Sequence, residues 1–119
     1  QLGGPKIQGR DDAGAENILN DALALEKAGC FSLVLECIPT ELSKKITLAL
    51  QIPTIGIGAS HHTSGQVLVL QDMLGLNADF KPKFLKKYSN GAEATIKAIN
   101  SYVAEVRAGT FPDKEHSYE

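Results

Sequence analysis

Between Leu33 and Pro39 the chain reads Leu-Val-Leu-Glu-Cys-Ile-Pro: an apolar run that delivers one carboxylate to its end and meets a proline just beyond. An apolar run of about 4–8 residues closed by turn signals is the pattern of a buried strand. In parallel α/β folds chemistry collects where strands end, because the loops there open onto a common mouth. A glutamate in such a place loses hydration and needs either a partner or a task. Glu36 is therefore the first candidate catalytic residue.

The flanking sequence alternates between helical and strand patterns. Residues 13–28 form a predicted helix, with Asp11 and Asp12 able to cap it and Gly29 placed to end it. Ala15, Ile18, Leu19, Ala22, Leu25 and Ala28 make its apolar face. Residues 31–37 are the first predicted strand, and Thr40 caps a helix whose stripe is Leu42, Ile46, Ala49 and Leu50. A second strand spans residues 54–58, a loop of small and polar residues follows over 59–65, and a third strand spans 67–70, ending at Gln71-Asp72. A short helix over 80–88 turns Phe84, Leu85 and Tyr88 inward. Asn90 and Glu93 outline a capping box before a strongly periodic helix carrying Ala92, Ile96, Ile99, Val103 and Val106, which Gly109 ends. The tail after Phe111 reads as polar and loose. Buried strands alternating with amphipathic helices predict parallel βα units. Three strands are an incomplete sheet: three staves of a closed barrel, or the edge of an open sheet.

The 119 residues suffice for one small domain, and 43% hydrophobic with 22% charged residues is a globular composition. A net charge of −2 gives no electrostatic reason to bind nucleic acid or an anionic membrane. No apolar stretch approaches the roughly 20 residues of a membrane span, and no basic-then-apolar leader opens the chain. Cys30 and Cys37 sit at odd spacing across a strand, on opposite pleats, which argues against a disulfide and for a reduced, cytoplasmic protein. The chain begins at Gln1 and its one methionine is Met73, so it reads as a piece of something longer.

Each candidate site has a competing reading. Glu36 is a general base able to take a proton from carbon next to a carbonyl, or a strand-end glutamate paired with a lysine. Gly56 and Gly58 let the backbone approach a substrate closely, or pack tightly at a rim; no lysine follows in P-loop fashion. Asp72 closes the third strand and points into the mouth near Glu36, or caps a turn with Gly75. His61 and His62 are adjacent loop residues with no further ligand at metal spacing, and His116 is equally unsupported, so no metal site is assigned. Lys81, Lys83, Lys86 and Lys87 form a basic cluster that attracts an acidic cofactor tail, or, as is commoner, a solvated helix face.

At this point the chain resembles the ketopantoate hydroxymethyltransferase family. The resemblance is carried by Gly3-Gly4-Pro5-Lys6-Ile7-Gln8-Gly9-Arg10, by Leu33 through Pro39, and by Ile55-Gly56-Ile57-Gly58-Ala59. It continues through Gly65-Gln66-Val67-Leu68-Val69-Leu70-Gln71-Asp72-Met73-Leu74-Gly75, and through Phe111-Pro112 with Glu115-His116-Ser117. Several motifs in order make it specific; none alone does.

The resemblance implies a (β/α)8 TIM barrel, which takes about 250 residues, of which this chain matches the C-terminal half. Residues 31–37, 54–58 and 66–70 then correspond to strands six, seven and eight, and the N-terminal half of the barrel is absent from this chain. The implied reaction transfers a hydroxymethyl group from 5,10-methylenetetrahydrofolate to 3-methyl-2-oxobutanoate, giving 2-dehydropantoate for pantothenate biosynthesis. The family's base falls on Glu36. Its magnesium ion acidifies the keto acid and is held by carboxylates on strands outside this chain. The family also implies homo-oligomers. Two departures stand out: Pro5 where relatives often carry an aromatic residue, and Ser64 where many have Asp. The alternatives are a non-catalytic half-barrel assembly module, or another enolate-forming barrel enzyme of the phosphoenolpyruvate-utilising type.

Overall fold

The computed structural model describes residues 6–118; the Gly3-Gly4-Pro5 loop lies outside the described residues. The chain divides into two compact units, residues 6–69 with Pro82–Leu85, and Leu70–Lys81 with residues 86–118.

In the first unit, helix α1 (Asp12–Lys27) begins at Asp11, whose side chain accepts the Gly14 N–H at 2.7 Å. It ends in a Schellman motif: Gly29 is left-handed at φ +99°, its N–H donates to Glu26 O, and the Cys30 N–H donates to Leu25 O. Strand β1 (Leu33–Glu36), helix α2 (Thr40–Ala49), strand β2 (Thr54–Ile57) and strand β3 (Gly65–Gln66) follow. The strands are parallel in the order β1-β2-β3, with Leu35 opposite Gly56, Glu36 opposite Ile57, and Gly56 opposite Gln66.

Alternation along β1 separates two faces. Leu35 is buried in a core with Ala22, Ile38, Leu42, Ile46, Leu50 and Ala59, against which Ala15, Ile18 and Leu19 of α1 pack. Val34, one residue away, is 59% exposed. Both helices therefore cover the Leu35 face and leave the Val34 face open. A doubly wound sheet covers both faces. Sequential parallel strands with helices on one side are the way a closed barrel is built. The arrangement is a mixed helix and parallel-sheet α/β fold consistent with part of a TIM barrel.

Several sequence expectations are corrected. Leu25, 43% exposed, and Ala28, also exposed, leave the apolar face of α1. Sixteen helical residues span about 24 Å, whereas a four-residue strand spans about 13 Å, so the helix end overhangs the sheet. Phe31 lies outside β1 and is 87% exposed. Thr40 is the first residue of α2 rather than its cap, which is Pro39 and offers no side-chain acceptor. Ala49 is exposed, and Ser43 is fully buried in its stead. Ser43 is tolerated there because its hydroxyl donates to Ala59 O. The third strand is two residues long, and Val67 through Val69 lie outside it.

The second unit holds a four-residue helix α3 (Leu70–Met73), a long helix α4 (Gly91–Ala108) and a 3-10 turn (Lys114–His116). Residues 80–88 form no helix. Pro82 disfavours helical backbone at Lys81 and lacks an N–H, and only a single turn closes there, from Leu85 N–H to Pro82 O within the first unit. Tyr88 is correspondingly exposed. The four lysines are not one solvated face: Lys87 Nζ donates to Asn77 O at 2.9 Å, and Lys86 lies 5.0 Å over the Tyr88 ring. The capping box at Asn90 is incomplete, since its side chain bonds Glu93 and not the backbone. α4 ends at left-handed Gly109 as its sequence requires, yet buries none of its residues.

Residues 111–118 hold one another and α4 through specific contacts. Asp113 accepts the His116 N–H at 3.1 Å and faces His116 Nδ1 at 2.6 Å, while Phe111 packs edge-on to Tyr102. The His116 side chain is the main cause holding the Asp113 carboxyl below its ordinary range. Because the folded value is depressed, this contribution is complete above the unfolded carboxylate value of about 3.9 and is lost as pH falls through the lowered one. The protection of the His116 amide, its exchange relative to the intrinsic rate at each pH, should accordingly hold from neutrality to about pH 4.5 and fall only below it. Protection already lost at pH 5.5 would remove Asp113 from that role.

Candidate functional site

Glu36 is the last residue of β1, at the C-terminal edge of the sheet. Its neighbour across the sheet is Ile57, the last residue of β2, and both follow Val34 and Ile55 on the open face. The carboxylate is exposed and forms no ion pair among the described residues.

The backbone turns sharply just after it. Cys37 has φ +52°, and Gly58, the next residue of the neighbouring strand, has φ +63°. Both strands thus leave the sheet through a left-handed residue at the same level. Gly58 is suited to this, and a Cβ there would press on the Phe84 ring at 3.1 Å. Cys37 is buried, and burial pushes its thiol up, with the Glu36 charge adding to the effect. Cys30 and Cys37 are both free thiols.

Beside these turns lies a cavity of about 880 Å³, within the usual range of small-molecule sites. Cys37, Gly58, Ser60, Gln66 and Phe84 line it, and Arg10, Lys45 and Lys83 bring cations from three separate segments. Asp11, Asp12 and Glu41 balance them. Neither Glu36 nor Gly56 is a lining residue: Glu36 belongs to the open face. No sequence signal marked Arg10, Lys45 or Lys83 as a set, because only the fold brings them together.

Gly56 has a local explanation. A Cβ there would come 2.6 Å from Thr63 Oγ1 and 3.1 Å from Gln66 Nε2. Those two groups hold the rim: Gln66 Nε2 donates to Ser60 O at 2.7 Å and to Thr63 Oγ1 at 2.8 Å, and Thr63 Oγ1 donates to Gly65 O. Ser60, at φ +66°, is thereby pinned in the left-handed region. Asp72 lies in α3 of the second unit and does not close a strand; its carbonyl accepts the Gly75 N–H at 3.0 Å, and Gly75 is left-handed at φ +71°. His61 and His62 stack on each other, with ring centres 4.1 Å apart, on the loop.

Ser64 orders that loop. Its hydroxyl accepts the Thr54 N–H at 3.1 Å, and its own N–H donates to Thr54 Oγ1 at 3.2 Å. Thr54 is fully buried, so the Ser64→Ala variant strands its N–H. A stability loss of about 1–2 kcal/mol is expected in urea unfolding, and an unchanged midpoint would show that water replaces Ser64 without cost.

The family model for ketopantoate hydroxymethyltransferase matches residues 1–114 of this chain. A 3-methyl-2-oxobutanoate hydroxymethyltransferase of Francisella tularensis subsp. tularensis is 58% identical over 118 residues, covering 99% of the chain and 45% of the relative. Proteins with the same name from Moorella thermoacetica and Clostridium kluyveri are each 56% identical, over 100% and 99% of the chain and 44% and 42% of their own lengths. The chain thus spans less than half the length of these relatives.

Proposed function

Because the chain belongs to the ketopantoate hydroxymethyltransferase family, we propose that it forms the strand-six-to-eight part of a TIM barrel that moves a hydroxymethyl group from 5,10-methylenetetrahydrofolate to 3-methyl-2-oxobutanoate. The observation that carries this is Glu36: a carboxylate without an ion pair among the described residues, on the last residue of a strand, on the sheet face that no helix of its unit covers. In a barrel that face is the interior, and the C-terminal edge is the mouth.

Glu36 acts as general base. It takes the proton from C3 of the keto acid, and the electron pair of that C–H bond moves toward the C2 carbonyl. Water breaks the two C–N bonds that hold the methylene carbon, releasing tetrahydrofolate and formaldehyde; C3 attacks the formaldehyde carbon, and the resulting alkoxide takes back the proton that Glu36 holds, which completes the hydroxymethyl group. Gly58 contacts substrate at the mouth, and Gly56 works one step back, by admitting Thr63 and Gln66 to the rim. The test is exchange of the C3 hydrogen with solvent deuterium in the Glu36→Gln variant of the full-length protein.

The family implies a magnesium ion. Among the described residues no group of three or more His, Cys, Asp or Glu side chains could hold one. These residues do not make a metal site on their own, and the ion's ligands in the proposed enzyme come from elsewhere. No helix of the described residues is long and apolar enough to cross a membrane. A cytoplasmic homo-oligomer, with keto acid and folate as its small-molecule partners, completes the proposal.

A further inference from the structure

We propose that Cys37 is a positioning residue for Glu36, acting through its backbone and not through its thiol. The inference rests on the assignment of Glu36 as base. Outside glycine, the left-handed region is uncommon because the Cβ crowds the backbone, and Cys37 occupies it at φ +52°. Such a conformation persists only where its surroundings over-determine it. Here two hydrogen bonds do so. The Cys37 N–H donates to Ile57 O at 3.0 Å, which locks it to β2. The Cys37 carbonyl accepts the Gln8 N–H, also at 3.0 Å, which locks it to the segment before α1.

The consequence falls on the preceding residue. An extended Cys37 would continue β1 and carry Glu36 into the strand interior. The left-handed turn instead ends the strand at Glu36 and sends the chain down to buried Ile38 and to Pro39. Glu36 is thereby the last side chain on the open face. Gly58 performs the same turn on the next strand with no Cβ, so the geometry does not need a thiol. The thiol is also unsuited to nucleophilic work: burial and the Glu36 charge keep it protonated.

The discriminating series is Cys37→Val, Cys37→Ala and Cys37→Gly in the full-length protein, with Glu36→Gln alongside. The readouts are C3 hydrogen exchange and the KM and kcat for the keto acid. A β-branched residue tolerates the left-handed region worst, so Cys37→Val should lower kcat for exchange at least tenfold while KM changes less than twofold. Cys37→Gly, the conservative variant for this backbone, should rescue exchange to within about threefold of the wild type, with Cys37→Ala close behind. A merely structural Cys37 would lower the amount of folded protein without separating kcat from KM. Wild-type exchange in a folded Cys37→Val variant overturns the inference. So does loss of exchange in both Cys37→Gly and Cys37→Ala, which decides the matter even where Cys37→Val does not fold. Wild-type exchange in Glu36→Gln overturns the base assignment and this inference with it, and is recognisable because Cys37 is untouched there.

Discussion

The Glu36→Gln variant of the full-length protein is expected to exchange the C3 hydrogen of 3-methyl-2-oxobutanoate with solvent deuterium about 100- to 10,000-fold more slowly than the wild type. Glutamine keeps the size of the side chain and removes its ability to accept the proton. Glutamine is nearly isosteric with glutamate, so little packing is disturbed, and the unfolding free energy should move by no more than about 1.5 kcal/mol. Proton nuclear magnetic resonance of the keto acid in deuterium oxide reads the exchange without any folate present. That separates proton removal from hydroxymethyl transfer. A variant that exchanges at the wild-type rate would falsify the base assignment, whereas one that loses transfer but keeps exchange would move Glu36 to the folate step.

The second large effect concerns stability. Ile46 is 0% exposed and sits where α2 meets α1 and the sheet. Its truncation to alanine removes three carbons from a site bounded by Leu35, Leu42 and Leu50, which cannot close around the void. A loss of about 2–5 kcal/mol is expected. Leu48, on the same helix but 75% exposed, supplies the control: Leu48→Ala should cost no more than about 0.5 kcal/mol. Denaturant unfolding of both variants checks the contrast, and equal losses would mean that another surface covers Leu48 in solution.

Much of this was legible in the residues. The 3.6-residue recurrence through Ile18, Leu19 and Ala22, closed by Gly29, specified α1 and its end. The apolar runs specified β1 and β2, because buried parallel strands need no alternation. Failures came where local pattern and tertiary setting disagree. Residues 67–70 are as apolar as a strand, yet the ladder stops at Gln66 and Leu70 begins α3. Apolarity rewards burial of any kind, and only partner strands make a ladder. The buried stripe of α2 is turned toward Ser43 and away from Ala49, and a polar residue is tolerated there because its hydroxyl donates to Ala59 O. Pro82 undid the helix over residues 80–88 against an otherwise acceptable spacing.

Local sequence determined α1, β1, β2 and α4, the left-handed glycines that end the two long helices, and the candidate base, since each depends on neighbours within a turn or a strand. It placed a carboxylate at a strand end and a strong periodic helix at residues 91–108. Tertiary structure alone decided which face of β1 stays open, that Cys37 turns left-handed between Ile57 and Gln8, and that Arg10, Lys45 and Lys83 share one cavity. Those features depend on contacts between residues far apart in the chain, where no spacing rule reaches, and on which surfaces remain once the helices have taken theirs.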